Sequence, residues 1–392
     1  MTSGSQQAQP GKHVPALDGV RGLAILWVVP YNALEVLSAP PAGPIHLFAM
    51  LAHPGWVGVQ LFFALSGFLI TGGLLDTRQS KNYFRAFYAR RALRILPLYY
   101  MLLLGLLLLT AFIAPPGELH SRLRNQIWLW TFLSNWTKPL GLDLEGFGHF
   151  WSLAVEEQFY LLWPFAVYRL DARRLFRACL WISLAALLVR CAMAASGVSA
   201  EAIYSFTVCR MDALALGAAG AALLRIPGWP SKARARLIPA GCIAVALFLA
   251  GAVATRGYAT GTLACETLGY TILAFSSAVL VTGVALARSS RPALLVAVLQ
   301  SAPLRSFGRY SYAMYVLHFP IHELIGVPLL RSMMPLGIPP GLALVYGIGM
   351  IPVSYVLAIL SYHTLEKHFL KLKSRFLPAA KTLPAWPAGA AP

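Results

Sequence analysis

Leu17-Asp18-Gly19-Val20-Arg21-Gly22-Leu23-Ala24-Ile25-Leu26-Trp27 opens an apolar stretch that continues through Pro30-Tyr31-Asn32 to about residue 37. It sets an acid and a base at the mouth of a segment long enough to cross a bilayer, which takes about 20 apolar residues. Ionisable groups on a spanning helix are costly unless they face a protein interior or a water-filled cavity. The stretch therefore predicts a membrane helix bordering a polar pocket.

The rest of the chain is of the same kind. Its 392 residues are 58% hydrophobic and only 12% charged, with mean hydropathy +0.65. A soluble domain carries about 25% charged residues, so the composition predicts an all-α polytopic membrane protein. The polar first 13 residues and the long segment after them give no signal-peptide pattern. A net charge of +18 would suggest nucleic acid in a soluble protein, but here it marks loops on one membrane face. No nucleic-acid partner is expected. Five cysteines without CxxC spacing give neither a disulfide framework nor a metal site.

Apolar length gives ten candidate spans, near 15–37, 55–76, 91–114, 150–168, 178–196, 206–224, 237–255, 264–287, 309–331 and 342–364. Residues 126–136 are too short to cross. With the N terminus cytoplasmic and that piece not spanning, 25 of the 32 Lys and Arg residues fall on the cytoplasmic side. If the piece crossed, every later loop would change sides and the asymmetry would vanish. The expected architecture is about ten helices with both termini cytoplasmic and a re-entrant or interfacial segment near 126–136. Residues 1–13 read as a disordered tail, 14–370 as one membrane domain, and 371–392 as a tail first basic, then Ala/Pro-rich.

Several polar residues interrupt the apolar pattern. Arg91 and Arg94 open the third span on one helix face, a two-guanidinium clamp whose donor forks suit phosphate; they also fit ordinary interfacial anchoring. Ser66-Gly67 in the second span allow close backbone approach by another helix, and Ser66 could instead line a pocket. Glu156 and Glu157 lie within an apolar helix and project about 100° apart, so one lines a cavity and the other meets a partner such as Arg210 or Arg190. His318 in mid-span reads as a packing element or as part of a proton or substrate path.

Taken together, five pieces in order resemble the acyltransferase 3 family of integral membrane acyltransferases. They are Leu17-Asp18-Gly19-Val20-Arg21-Gly22, Phe62-Phe63-Ala64-Leu65-Ser66-Gly67-Phe68, Arg91-x-x-Arg94-Ile95-x-Pro97, Trp151-Ser152-Leu153-Ala154-Val155-Glu156, and Tyr312 to His318. The resemblance runs from about Leu17 to Phe369. It implies a multi-pass protein of the bacterial inner membrane that moves an acyl group, most simply acetyl from acetyl-CoA, to a hydroxyl of a carbohydrate or glycolipid. Acetyl-CoA is then a co-substrate, and no metal is implied. By the same resemblance Arg91 and Arg94 hold donor phosphates, with Ser66 nearby. Arg21 lines the donor path, oriented by Asp18, and Glu156 faces the acceptor side. Most relatives carry a histidine on the first helix, about three turns after the arginine, as the base. Here that place holds Asn32, which cannot take a proton near neutral pH. Three readings follow: the chain binds without turnover, the base is His318 or Glu156, or the helix register shifts by one to Tyr31. A transporter of a lipid-linked or small polar molecule is the alternative from another class.

Overall fold

The computed structural model describes residues 14–34, 52–113, 119–142, 144, 146–287, 294–335 and 337–376. The expected tail at 1–13 and the end of the chain from 377 lie outside the described residues. Among the described residues the fold is all helix, with no strand. We label α1 Pro15–Ala33, α2 Val57–Thr77, α3 Tyr83–Ile113, α4 Leu119–Trp130, α5 Trp151–Arg169 and α6 Ala172–Ala195. The chain continues with α7 Thr207–Leu223, α8 Trp229–Ala254, α9 Tyr270–Leu286, α10 Ala302–Ile321 and α11 Pro340–Ser361. Helical turns run on after α11 to Phe376, six residues past the predicted domain boundary.

Eight of the ten expected spans are long and apolar enough to cross a membrane. The other two, 15–37 and 150–168, form the 19-residue helices α1 and α5. Each is about 28 Å long at 1.5 Å per residue, close to the thickness of a bilayer core. They are less apolar than the other eight because they carry Asp18, Arg21 and Asn32, and Glu156 and Glu157.

Small residues set the bundle. α1 packs on α10, α2 and α11, while α2 packs on α7, α9 and α5. A Cβ on Gly22 would stand 2.0 Å from the Leu304 carbonyl oxygen, and one on Gly308 would stand 1.8 Å from that of Asp18. The α1 and α10 backbones therefore touch where the chain has no side chain to separate them. Gly67 and Gly217 do the same reciprocally for α2 and α7, at 1.9 Å from Leu214 O and 2.0 Å from Ala64 O. The close approach expected at Ser66-Gly67 is realised here.

α3 begins at Tyr83, so Arg91 and Arg94 lie two to three turns inside the helix instead of at its mouth. Two tyrosines fix this amphipathic first section: Tyr83 donates to Pro164 O at 3.1 Å and Tyr88 to Leu161 O at 2.7 Å, both on α5. The predicted non-spanning piece is α4 and the turns after it. Its last carbonyls lack intrahelical partners, and Tyr99 and Tyr100 of α3 donate to Leu129 O and Trp130 O at 2.8 and 3.1 Å. At Phe132 (φ +55°) the chain turns away into single helical turns before α5.

Candidate functional site

The basic ends of the helices converge. Arg225 at the end of α7 grips Asp76 at the end of α2 with two 2.7 Å bonds. Arg78 donates to Leu170 O, just past α5, at 3.0 Å. Toward this end the bundle encloses a small cavity of about 100 Å³, bounded by Arg21, Ser66, Arg91, Arg94, Glu156 and Tyr312. These residues come from α1, α2, α3, α5 and α10, and the helix contacts described above bring them together.

Within this cavity Arg21 Nη1 pairs with Asp18 Oδ1 one turn earlier at 3.2 Å. The Arg91 guanidinium lies 3.7 Å from the Tyr160 ring centroid, a cation–π contact made stronger by exclusion of water. Glu156 is held at both oxygens: Ser66 Oγ donates to Oε1 at 2.7 Å and Tyr160 OH to Oε2 at 2.8 Å. Tyr312 OH donates to Ile95 O at 2.6 Å and so ties α10 to the arginine-bearing turn of α3. Three guanidinium groups beside the carboxylates of Asp18 and Glu156 leave the cavity net positive. The sequence reading set Glu156 on the face opposite the arginines. The structure corrects this: Glu156 shares their cavity, because Arg91 and Arg94 sit deep in α3.

A second, larger cavity of about 780 Å³ lies beyond. Aromatic rings (Tyr31, Trp56, Trp151, Tyr204, Tyr270 and Phe319) form much of its wall, together with Asn32, His149, Lys138, Glu201 and Glu323. Its volume falls in the usual range for ligand pockets, about 300–1,000 Å³. Val59 and Tyr315 line both cavities and so form a wall that the two share. Asn32 lies 11 residues beyond Arg21 on α1, about 16 Å along the axis. One helix thus serves both chambers.

Asn32 and His318 form a pair. Asn32 Nδ2 stands 2.9 Å from His318 Nε2 and 3.3 Å from Val28 O. His318 Nδ1 lies 2.8 Å from Tyr315 O and 3.1 Å from Met314 O. An amide NH₂ can only donate and a carbonyl can only accept. The ring is therefore the neutral Nδ1–H tautomer, its Nε2 accepting from Asn32. His318 is 1% exposed and sits behind Asn32.

The remaining charges play other parts. Arg190 pairs with Asp212 at 2.9 Å, both side chains fully buried, and donates to Cys209 O and to Thr271 Oγ1. Neither glutamate of α5 takes part, contrary to the suggested pairing with Arg210 or Arg190. Arg210 lies 4.4 to 6.0 Å from the ring centroids of Tyr270, Tyr204, Trp151 and Trp56. Among the described residues no three His, Cys, Asp or Glu side chains group as metal ligands would. The sequence reading singled out neither His149 nor the aromatic wall. His149 stands two residues before the Trp151-to-Glu156 motif and could have been found there, whereas the wall joins six separate elements.

Comparison with known proteins follows this geometry. The sequence profile described as "Acyltransferase domain" matches residues 14–359. The peptidoglycan O-acetyltransferase OatA of Listeria monocytogenes is 29% identical over 346 residues, which cover 83% of this chain and 51% of the relative. The O-acetyltransferase OatA of Staphylococcus aureus is 28% identical over 337 residues, 79% of this chain and 51% of the relative. YrhL of Bacillus subtilis is 28% identical over 386 residues, 92% of this chain and 55% of the relative. The chain spans about half the length of these curated relatives. No solved structure matches it. With the profile covering nearly its whole length, this chain belongs to the acyltransferase 3 family.

Proposed function

We propose that this chain is a membrane O-acetyltransferase that takes acetyl from acetyl-CoA on one side of the bilayer and delivers it to a hydroxyl of a carbohydrate or glycolipid in the large cavity. One observation carries the reading: a small arginine-rich cavity and a large aromatic-walled one are separated only by a wall that includes Val59 and Tyr315, which line both. The donor's phosphates then rest on Arg91 and Arg94, at the basic end of the bundle that we assign to the cytoplasm together with both termini. Asp18 steadies Arg21 along the donor path. Glu156, fixed by Ser66 and Tyr160, supplies the counter-charge that keeps the arginines spaced.

The wall of the large cavity suits a sugar. Aromatic faces pack on the apolar faces of a pyranose, and Glu201, Glu323 and Asn32 offer acceptors for its hydroxyls. The similarity to the O-acetyltransferases OatA of Listeria monocytogenes and Staphylococcus aureus supports this class of reaction. The acceptor oxygen attacks the thioester carbonyl at the wall between the cavities. There the Tyr315 and Ser152 hydroxyls, 2.5 Å apart and both within reach of the His149 carbonyl oxygen, would turn a proton from that oxygen to steady the developing oxyanion. Asn32, backed by His318, positions the acceptor hydroxyl.

Radiolabelled acetyl-CoA offered to proteoliposomes tests this reading. The wild-type chain is expected to consume donor. Arg91→Ala should raise the donor KM about 10- to 100-fold, since a charge-assisted bond contributes about 1.5–3 kcal/mol. Acceptor translocation without donor consumption would instead establish a transporter.

A further inference from the structure

Three histidines stand near the large cavity. His318 is held at both ring nitrogens, as described above. His322 Nδ1 meets Tyr346 OH at 2.9 Å, while its Nε2, 3.6 Å from Glu323 Oε1, has no hydrogen-bond partner. Of the three, His149 alone lines the cavity, and both of its ring nitrogens are buried without a hydrogen-bond partner. Buried polar atoms are almost always paired, and an orphan in a native site calls for an explanation such as catalysis or an absent ligand.

The position of His149 is fixed by its backbone and not by its ring. Its carbonyl oxygen lies 3.0 Å from Tyr315 OH and 3.2 Å from Ser152 Oγ. The imidazole packs among Phe150, Tyr315, His318 and Phe319, with ring centroids at 4.3, 5.4, 5.4 and 4.9 Å. It thus stands against Tyr315, which lines both cavities, and against the partner of Asn32, with a nitrogen lone pair unused. From this juxtaposition we propose that His149 is the general base for the acceptor hydroxyl, the role that Asn32 cannot fill.

The inference rests on the acetyl-transfer reading given under Proposed function. As the acceptor oxygen bonds to the acetyl carbonyl carbon, its proton passes to a ring nitrogen of His149. The carbon–sulfur bond then breaks, and the departing CoA thiolate takes that proton from the imidazolium and leaves as the thiol. The atoms balance without any further reactant. The titratable groups packed against the ring are His318 and Tyr315 of α10, and the charged groups of the same cavity are Lys138, Glu201 and Glu323.

The test uses the full chain in proteoliposomes with labelled acetyl-CoA and, as acceptor probe, a β-1,4-linked N-acetylglucosamine tetramer. His149→Gln should lower kcat by about 10²- to 10⁴-fold, the usual weight of general-base catalysis, while acetyl-CoA binding persists. The acid limb of the wild-type rate profile, where the base becomes protonated, should disappear in this variant. Added imidazole should partly restore His149→Gly, which only a folded protein lacking a proton acceptor can show. The double variant Asn32→His, His149→Gln should regain rate, since a base then stands at position 32. A wild-type rate in His149→Gln, or a reduced rate with the acid limb unchanged and no imidazole rescue, would overturn the inference alone. Absence of transfer in the wild type would overturn it together with the enzyme reading.

Discussion

At the scale of single residues the chain is governed by where each buried polar atom finds its partner. Ser66 and Tyr160 occupy both oxygens of Glu156, so Ser66→Ala would strip one oxygen of its donor. Loss of a bond to a charged group costs about 1.5–3 kcal/mol. Ser66→Ala should therefore weaken donor binding, measured as a roughly tenfold or greater rise in acetyl-CoA KM, with Ser66→Thr retaining more. Position 32 behaves differently, because its amide already serves His318. Asn32→His should raise acetyl transfer of the reconstituted His149→Gln variant by about 10²-fold or more by putting a base at the cavity wall. Unchanged turnover would remove position 32 from the proton path. The sequence alone singled out Arg21, Arg91, Arg94 and His318 as candidates, since charge and imidazole are conspicuous in apolar helices, and the family resemblance added Asn32. It misplaced Glu156 because which chamber a side chain enters depends on how far α3 extends, and Tyr83 and Tyr88 set that by bonds to α5 that no local pattern encodes.

At the scale of helices, spacing is set by glycine. Gly22 lets α1 touch α10, and Gly67 with Gly217 lets α2 touch α7. Those contacts bring Arg21 and Ser66 within reach of α3 and α5. A methyl at Gly22 has no room beside the Leu304 carbonyl, so the helices must separate. Gly22→Ala should destabilise the detergent-solubilised protein by about 1–3 kcal/mol, read as a lower midpoint in a thermal unfolding assay, whereas Gly105→Ala, with open space around its Cβ, should not. Helix number and type were legible in the sequence because apolar length is the strongest one-dimensional signal a membrane protein has. α1 and α5 illustrate its limit: the polar groups that make them functional also make them the least apolar spans. That the apolar piece at 126–136 is short was legible in the sequence, and it falls on the 12-residue helix α4 and the turns after it. The bonds from Tyr99 and Tyr100 that secure α4 were not, since they join segments 30 residues apart.

For the whole molecule, the central feature is two chambers of unlike chemistry that share a wall at Val59 and Tyr315. The Asp76–Arg225 pair bridges the ends of α2 and α7 near the basic chamber and is partly exposed, its side chains 22% and 27% accessible. Its removal by Asp76→Ala should cost about 1 kcal/mol or less after solvent screening, leaving turnover nearly intact while lowering thermal stability slightly. Disruption of the arginine chamber should do the reverse. The adjoining chambers predict that this chain alters a glycan by adding one acyl group drawn from the arginine side. Mass spectrometry of surface glycans from cells making the wild-type chain, the Arg91→Ala variant or no copy tests that most directly. The account predicts a mass increase equal to one acetyl group on a glycan, present only with the wild-type chain or strongly reduced in Arg91→Ala; identical glycan masses in all three would contradict it.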